Sequence, residues 1–335
     1  MEIIKKYRFF TVTLLFLCVL GVLSMNKTSY SVQTLEDIQA KLQLFSPVIE
    51  KLRAAGVDSM FIDKLISDSL VVFEDKYLQL DVPYRTVTSD KPKQPTTKYY
   101  SSVMNDMSIR KIEKFIDTYS VPLNDVEMLY KVDKETLASL LMVETRHGEY
   151  LGYHNVASVY LCLALADQPE FIEYNMKRMK KKYNLSKGGY VQVKQKMVNR
   201  SKTKAKWALN EIIALYKISE KIPHKVTEIY GSYAGAFGIP QFLPSSYNKF
   251  AVDGDSDGEV NLFNFNDAIY SCANYLNKHG YGPTTSEKRD AIYSYNHSQK
   301  YVNTIIELAR RVKNNMGSDS VEAESAIEEV NDDDQ

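Results

Sequence analysis

Apolar residues recur at helical spacing through almost the whole sequence, and this periodicity most restricts the folds available to the chain. Leu35, Ile38, Leu42 and Phe45 follow one another at intervals of three or four residues, which places them on one face of an α-helix. Similar patterns recur as far as residue 312, and few segments alternate as a β-strand does. We therefore predict an all-α fold. The 335 residues, 44% of them apolar, are enough for a substantial core.

One predicted helix, residues 133–148, carries a carboxylate at the end of its apolar stripe. Four residues share this face: Leu137, Leu140, Leu141 and Glu144. A carboxyl group on such a face loses water, which raises its pKa and suits it to act as a general acid near neutral pH. The other interpretation is a structural glutamate paired with Arg146 or His147. The residues of this helix alone leave both interpretations open.

Acidic residues and glycines alternate from residue 253 in the sequence DGDSDGE. Oxygen donors stand at loop positions 1, 3 and 5 with glycine at 6, as in the first half of an EF-hand calcium loop. The closing glutamate is absent, because Asn264 occupies its place, and we expect a lengthened loop over residues 253–267. The predicted Ca²⁺ ligands are Asp253, Asp255, Asp257, the carbonyl of Glu259, and Asp267. A polar turn without metal is the alternative.

Residues 231–247, GSYAGAFGIPQFLPSSY, combine glycines and prolines with aromatic side chains. Such a loop can bring backbone and polar groups, including Ser232 and Gln241, close to a ligand with flat apolar faces such as a sugar. A tight packed turn between helices is the equally supported alternative. Further along, Tyr295 and Asn296 interrupt a helical pattern with a phenol and an amide.

The net charge of zero conceals two blocks of opposite sign. Residues 176–206 contain twelve basic and no acidic side chains, and residues 317–335 contain eight acidic and no basic ones. Such blocks are usually solvated faces or tails, and a basic block can also hold an anionic polymer. We predict a helical insertion that is broken at Gly188 and Gly189, and an acidic tail without structure.

The N-terminus has the pattern of an export signal. Lys5, Lys6 and Arg8 precede an uncharged run over residues 9–26, which is short for a membrane span of about 20 residues. We therefore expect extracytoplasmic action, with residues 9–25 as a membrane anchor if the leader is retained. Cys162 and Cys272 lie in apolar helical patterns, where small buried thiols are favoured over a disulfide.

These observations divide the chain into five predicted segments. They are a signal peptide or anchor (1–28), a helical N-terminal region (29–85), a linker (86–98), a helical domain that contains Glu144 (99–316) with the basic insertion (176–206) and candidate calcium loop (253–267), and an acidic disordered tail (317–335).

Four motifs together resemble the membrane-bound lytic murein transglycosylase B family. The sequence ETRHG from Glu144 is similar to the family's ETRxG motif, and residues 232–247 are similar to its SxAGAxGxxQFxPSSY motif. The loop from Asp253 resembles its calcium loop, and Tyr295-Asn296 its late YN pair. The order and spacing of all four agree, which is more specific than any single motif.

The resemblance implies a lysozyme-like catalytic domain in which Glu144 is the sole general acid and base. It also implies that Ser232, Gln241, Tyr295 and Asn296 contact glycan, and that Ca²⁺ is bound without any organic cofactor. The expected reaction cleaves peptidoglycan strands between N-acetylmuramic acid and N-acetylglucosamine and leaves 1,6-anhydromuramoyl ends. No nucleic-acid partner is expected. The alternatives are a lysozyme-like muramidase that admits water, and a non-catalytic scaffold that binds peptidoglycan.

Overall fold

The structure is a computed structural model that describes residues 34–83 and 97–332, with side chains as far as residue 317. The predicted leader and most of the predicted linker lie outside these residues. The described part is built from α-helices, two short 3₁₀ helices and two very short strands, which confirms the all-α prediction. None of its helices is both long and apolar enough to cross a membrane.

The N-terminal part packs onto the rest of the described chain. It contains α1 (Leu35–Ala54), α2 (Ser59–Ser67) and a 3₁₀ helix (Asp75–Leu78). Asp58 caps α2, because its side chain accepts from the backbone N–H of Phe61 at 3.0 Å. The Phe61 ring lies 5.1 Å from the ring of Tyr216 in a later helix. Buried residues from Phe45 to Val312 form one continuous core.

Three helices lead to the carboxylate singled out in the sequence. They are α3 (Asp106–Thr118), α4 (Ser120–Tyr130) and α5 (Lys134–Thr145). Asn105 caps α3 by accepting from the Ser108 N–H at 3.0 Å. Pro122 lies in the first turn of α4, where a helix tolerates a residue without an N–H.

The centre of the fold is α6 (Val156–Ala164), in which every residue is buried. A helix that is apolar on all sides must be surrounded by other elements, and α6 packs against α1, α8 and the first 3₁₀ helix. Immediately before it, β1 (His154–Asn155) pairs antiparallel with β2 (Tyr230–Gly231). This pair joins the start of α6 to residues 231–247.

The basic segment forms parts of two regular helices, α7 (Pro169–Tyr183) and α8 (Lys187–Ile218). The predicted break at Gly188 and Gly189 is wrong, since both glycines lie in the first turn of α8. The chain bends instead at Asn184, whose left-handed φ of 46° ends α7. Ser186 then caps α8 by accepting from the Gly189 N–H at 3.2 Å.

Four further helices complete the described chain: α9 (Pro244–Phe250), α10 (Phe265–Lys278), α11 (Thr285–Tyr295) and α12 (Gln299–Asp332). The last of them packs against α5 and α3. We expected the acidic tail to lack structure, whereas α12 continues through it to Asp332. Residues 317–335 contain four glutamates, which are good helix formers, and no proline.

Candidate active site

Glu144 lies in the last turn of α5, and the residue is half-buried. Burial raises the pKa of Glu144 to about 7, because the charged form has lost its water. The Tyr301 hydroxyl donates a hydrogen bond to Oε1 of Glu144, and this contact acts in the opposite direction. The carboxyl group can therefore gain and lose a proton near neutral pH.

Neither of the two basic residues that follow Glu144 in the sequence is its ion-pair partner. The Arg146 guanidinium lies 4.9 Å from the centre of the Tyr150 ring. The Nε2 atom of His147 lies 2.8 Å from the carbonyl oxygen of Ala138, and its ring stacks on that of Phe115 at 4.1 Å. The interpretation of Glu144 as the structural partner of one of these side chains is therefore wrong.

Residues 231–247 are fixed beside the end of α5 by two hydrogen bonds. The Thr145 hydroxyl, next to Glu144, donates to the carbonyl oxygen of Ile239 at 2.9 Å. The Tyr295 hydroxyl donates to the carbonyl oxygen of Pro240 at 2.5 Å. The Tyr295 ring also stacks with that of Tyr301, with centroids 6.5 Å apart and planes 14° apart. The structure thus places Glu144, the loop and Tyr295 close together.

Inside this loop, the polar side chains and the phenylalanines have different surroundings. The Gln241 side chain donates from Nε2 to the carbonyls of Leu151 and Gly238, at 3.2 and 3.0 Å. Phe237 and Phe242 are buried, so their rings stabilise the turn and are not available to a ligand. The packed-turn interpretation is correct for these two residues.

The other predicted glycan contacts have distinct positions. Ser232 is half-buried, and its hydroxyl oxygen accepts from the Ala236 N–H at 3.1 Å. Asn296 is exposed and lies directly after α11. Glycan binding by these two residues, Gln241 and Tyr295 stays a prediction.

Two residues of the site were not predicted from the sequence, namely Tyr301 and Cys272. The Cys272 sulfur lies 3.4 Å from the Tyr295 hydroxyl oxygen. Tyr301 begins a buried stripe in α12 that continues with Ile305, Leu308 and Val312. A phenol at the start of an apolar stripe was the available signal, because a buried tyrosine hydroxyl needs a polar partner. Cys162 and Cys272 are buried free thiols, as expected.

Three of the predicted metal ligands form one cluster. Asp253, Asp255 and Asp267 each offer a carboxylate oxygen, and these oxygens lie within 4.8 Å of one another. Asp267 is buried and accepts from the Gly254 N–H at 2.7 Å. Its pKa is raised by burial and also by the two neighbouring carboxylates. Oδ1 of Asp253 is buried without a hydrogen-bond partner among the described residues. An oxygen-binding cation fits this set of donors.

The remaining predicted ligands are less closely associated with this cluster. Oδ1 of Asp257 accepts from the Glu259 N–H at 2.8 Å, which shapes the loop between the cluster residues. Metal binding by Asp257 and by the carbonyl of Glu259 stays a prediction.

Comparisons with known proteins agree with this geometry. The family model described as Transglycosylase SLT domain matches residues 42–289. The membrane-bound lytic murein transglycosylase B of Escherichia coli K12 is 25% identical over 230 residues, which are 68% of this chain and 54% of that protein. The chain thus spans about half the length of this curated relative.

Solved structures share the fold. The soluble lytic transglycosylase SltB1 of Pseudomonas aeruginosa matches with a TM-score of 0.61 and 20% identity, over 82% of this chain and 99% of that chain. The Escherichia coli lytic transglycosylase Slt35, in complex with calcium, matches with a TM-score of 0.60 and 19% identity, over 80% and 92%. SltB3 of Pseudomonas aeruginosa, in complex with NAG-anhNAM-pentapeptide, matches with a TM-score of 0.59 and 18% identity, over 81% and 79%.

The family model covers most of the chain, including Glu144 and the loop beside it. The resemblance drawn from the four motifs is therefore confirmed. The chain belongs to the Transglycosylase SLT domain family.

Proposed function

We propose that this protein is a lytic transglycosylase that cleaves the β-1,4 bond between N-acetylmuramic acid and N-acetylglucosamine in peptidoglycan. Membership of the Transglycosylase SLT domain family supports this activity. The relative from Escherichia coli is named a lytic murein transglycosylase, and SltB3 was solved with a NAG-anhNAM-pentapeptide. The observation that carries the proposal is the half-buried Glu144, whose carboxyl group has a pKa of about 7 that suits proton transfer in both directions.

The proposed reaction uses Glu144 twice. Its protonated carboxyl group first donates a proton to the glycosidic oxygen, so that the bond to C1 of the muramic acid breaks. The resulting carboxylate then accepts the proton of the C6 hydroxyl of the same sugar while that oxygen bonds to C1. The product is a 1,6-anhydro ring, no water is consumed, and Glu144 ends protonated as it began.

A single carboxylate is sufficient for this sequence of steps. Glycosidases that use water normally need two carboxyl groups, separated by about 5 to 9.5 Å. Among the described residues, burial and the Tyr301 hydroxyl are the influences on the pKa of Glu144, and no second carboxylate contributes. The attacking oxygen belongs to the substrate, so a second acid is unnecessary.

Calcium has a structural role in this proposal. Asp253, Asp255 and Asp267 would hold the ion through carboxylate oxygens, which are the ligands that Ca²⁺ prefers. The orphaned oxygen of Asp253 supports this assignment, and the similar Slt35 was solved with calcium. Bound Ca²⁺ would neutralise the mutual repulsion of the three carboxylates.

Export of the chain is part of the same proposal, because peptidoglycan lies outside the cytoplasmic membrane. The basic residues and the apolar run of the first 26 residues support it, as does the description of the relative as membrane-bound. The leader would serve as a membrane anchor if it is retained.

Digestion of purified peptidoglycan tests the activity. We expect the wild-type protein to release soluble muropeptides, and the Glu144→Gln variant to bind the same material without releasing any. The amide has the shape of the carboxyl group but cannot transfer a proton. Release of muropeptides by neither protein would point to a scaffold and would contradict the proposal.

A further inference from the structure

A group of aromatic side chains lies at the surface beside the β1–β2 pair, and the reaction described above leaves it without a role. Tyr153 and Tyr233 are 79% and 50% exposed. Both rings rest on the ring of His154, with centroid distances of 4.2 and 5.5 Å. Tyr77 is buried beneath them, 5.4 Å from Tyr233. We call these four residues the aromatic ledge.

The ledge is held in place by several hydrogen bonds. The Tyr233 hydroxyl donates to the carbonyl oxygen of Lys76. The Tyr77 hydroxyl oxygen lies 2.8 Å from Nδ1 of His154. His154 is paired with Gly231 across the two short strands. These contacts hold the residues under the exposed rings in fixed positions. Stacking a ligand on the rings therefore costs little side-chain conformational entropy.

The backbone beneath the ledge is packed so closely that only glycine fits. A Cβ on Gly152 would lie 2.1 Å from the carbonyl oxygen of Gly231. The same Cβ would lie 2.7 Å from the backbone nitrogen of Ser232, so the exposed Tyr153 directly follows a residue packed against the half-buried Ser232. The ledge thus continues directly into the loop that contains Ser232 and Gln241.

A short chain of contacts connects the ledge with Glu144. The Gln241 side chain donates to the carbonyl of Leu151, two residues before Tyr153. The preceding Pro240 accepts from Tyr295, whose ring stacks on that of Tyr301, the hydrogen-bond donor to Glu144. One loop therefore leads from the reacting carboxyl group to the exposed rings.

We propose that the aromatic ledge is a distal glycan subsite, which stacks an N-acetylhexosamine of the same strand that is cleaved at Glu144. This inference rests on the proposed function. A pyranose ring presents a flat face of C–H groups, and an exposed aromatic ring is the complementary surface. Exposed rings of this kind favour a ligand over a core role, because two exposed tyrosines on a fixed base contribute little burial to stability.

The test measures glycan binding in the Glu144→Gln background, where chemistry cannot interfere. Long glycan strands, with and without stem peptides, are titrated into Tyr153→Ala, Tyr233→Ala and the double variant. A tetrasaccharide centred on the bond that is cleaved serves as the short ligand. We expect the double variant to bind long strands about tenfold more weakly, with unchanged binding of the tetrasaccharide. Tyr153→Phe retains the ring and should bind long strands normally.

Leu129→Ala is the matched control, because Leu129 is 62% exposed on α4 and has no part in the ledge. If the double variant binds long strands and the tetrasaccharide equally weakly, or binds both normally, the proposed subsite is overturned. An effect confined to strands that carry stem peptides would assign the ledge to peptide and would also overturn it. Muropeptide release by the wild type reports on the proposed function separately, so the two failures can be told apart.

Discussion

At the scale of single residues, the environment of Glu144 is a balance between two opposing influences. Burial disfavours the carboxylate, and the hydrogen bond from Tyr301 stabilises it. The stripe ending at Glu144 predicted the burial correctly. The phenol was not predicted, because its contact joins residues that lie far apart in the sequence and is visible only once α5 and α12 are packed together.

The Tyr301→Phe variant tests this balance. Removing the hydroxyl leaves burial unopposed, so the pKa of Glu144 should rise above its present value of about 7. Because the acid must be protonated, the alkaline limb of kcat/KM against pH should move to higher pH, with a lower maximal rate. The half-buried Tyr293, whose ring packs on that of His297, gives the control Tyr293→Phe. An unchanged limb, or one moved to lower pH, would contradict the account.

Stability should also depend on the protonation of Glu144. Its folded pKa of about 7 lies above the value of about 4.3 in an unfolded chain. Below the unfolded pKa the carboxyl group is protonated in both states, and the protein keeps its full free energy of unfolding. This contribution is lost as the pH rises to about 7, because the folded state then has to hold a charged carboxylate. Glutamine is neutral throughout, so Glu144→Gln should be more stable than the wild type at about pH 8, by on the order of 1 to 3 kcal/mol.

Urea unfolding at about pH 8 and about pH 4 measures this difference, which should disappear at the lower pH. Glu149 is exposed and paired with Lys111, and Glu149→Gln should give no gain in stability at the higher pH. If Glu144→Gln is no more stable than the wild type at about pH 8, burial of the carboxylate does not destabilise the folded protein, and the account is contradicted.

At the scale of elements, apolar periodicity located the helices correctly, but it did not always predict the residues at which they begin and end. We predicted a helix break at Gly188 and Gly189, yet both lie in the first turn of α8. Asn184 ends α7 because it adopts a left-handed φ, and nothing in its neighbours distinguishes it from a helical asparagine. Tertiary packing decides such positions.

The loop over residues 231–247 depends on glycine in two ways, through positive φ and through close contacts. Gly238 has a φ of 73°, and a Cβ there would lie 2.6 Å from Cβ of Leu262. Gly280, after α10, has a φ of 81° but nothing within 4 Å. Gly280→Ala should cost about 1 kcal/mol for the backbone alone, and Gly238→Ala at least about 2 kcal/mol more.

Denaturant unfolding of the two variants gives this comparison directly. Equal losses would show that backbone conformation alone, and not the contact with Leu262, fixes the loop beside Glu144.

At the scale of the whole molecule, the N-terminal part and the part that contains Glu144 share one core. The Lys51 ammonium group pairs with Asp167 at 2.8 Å, and the Val72 N–H donates to the Ser158 hydroxyl at 2.9 Å. The sequence predicted helices on both sides but not these contacts, because pairings between segments far apart in the chain leave no periodic signal. The site is thus supported by residues well outside its own motifs.

Calcium should stabilise the whole fold, because its predicted ligands span the loop from Asp253 to the start of α10 at Asp267. At a free Ca²⁺ concentration of 100 times Kd, the gain should be about 2.7 kcal/mol. Thermal unfolding with Ca²⁺ and with a chelator measures it. Asp267→Asn should abolish the difference and the Asp290→Asn control on α11 should retain it, whereas a wild-type Tm that does not respond to Ca²⁺ would rule out the site.

The central claim is that Glu144 acts alone and that the attacking oxygen comes from the sugar. Digestion of peptidoglycan in ¹⁸O-labelled water, followed by mass spectrometry of the muropeptides, tests this claim most directly. The account predicts anhydro-ended products that are one water lighter than hydrolysed ones and carry no label, and no products from Glu144→Gln. Labelled products with reducing muramic acid ends would show that water attacks, and would contradict it.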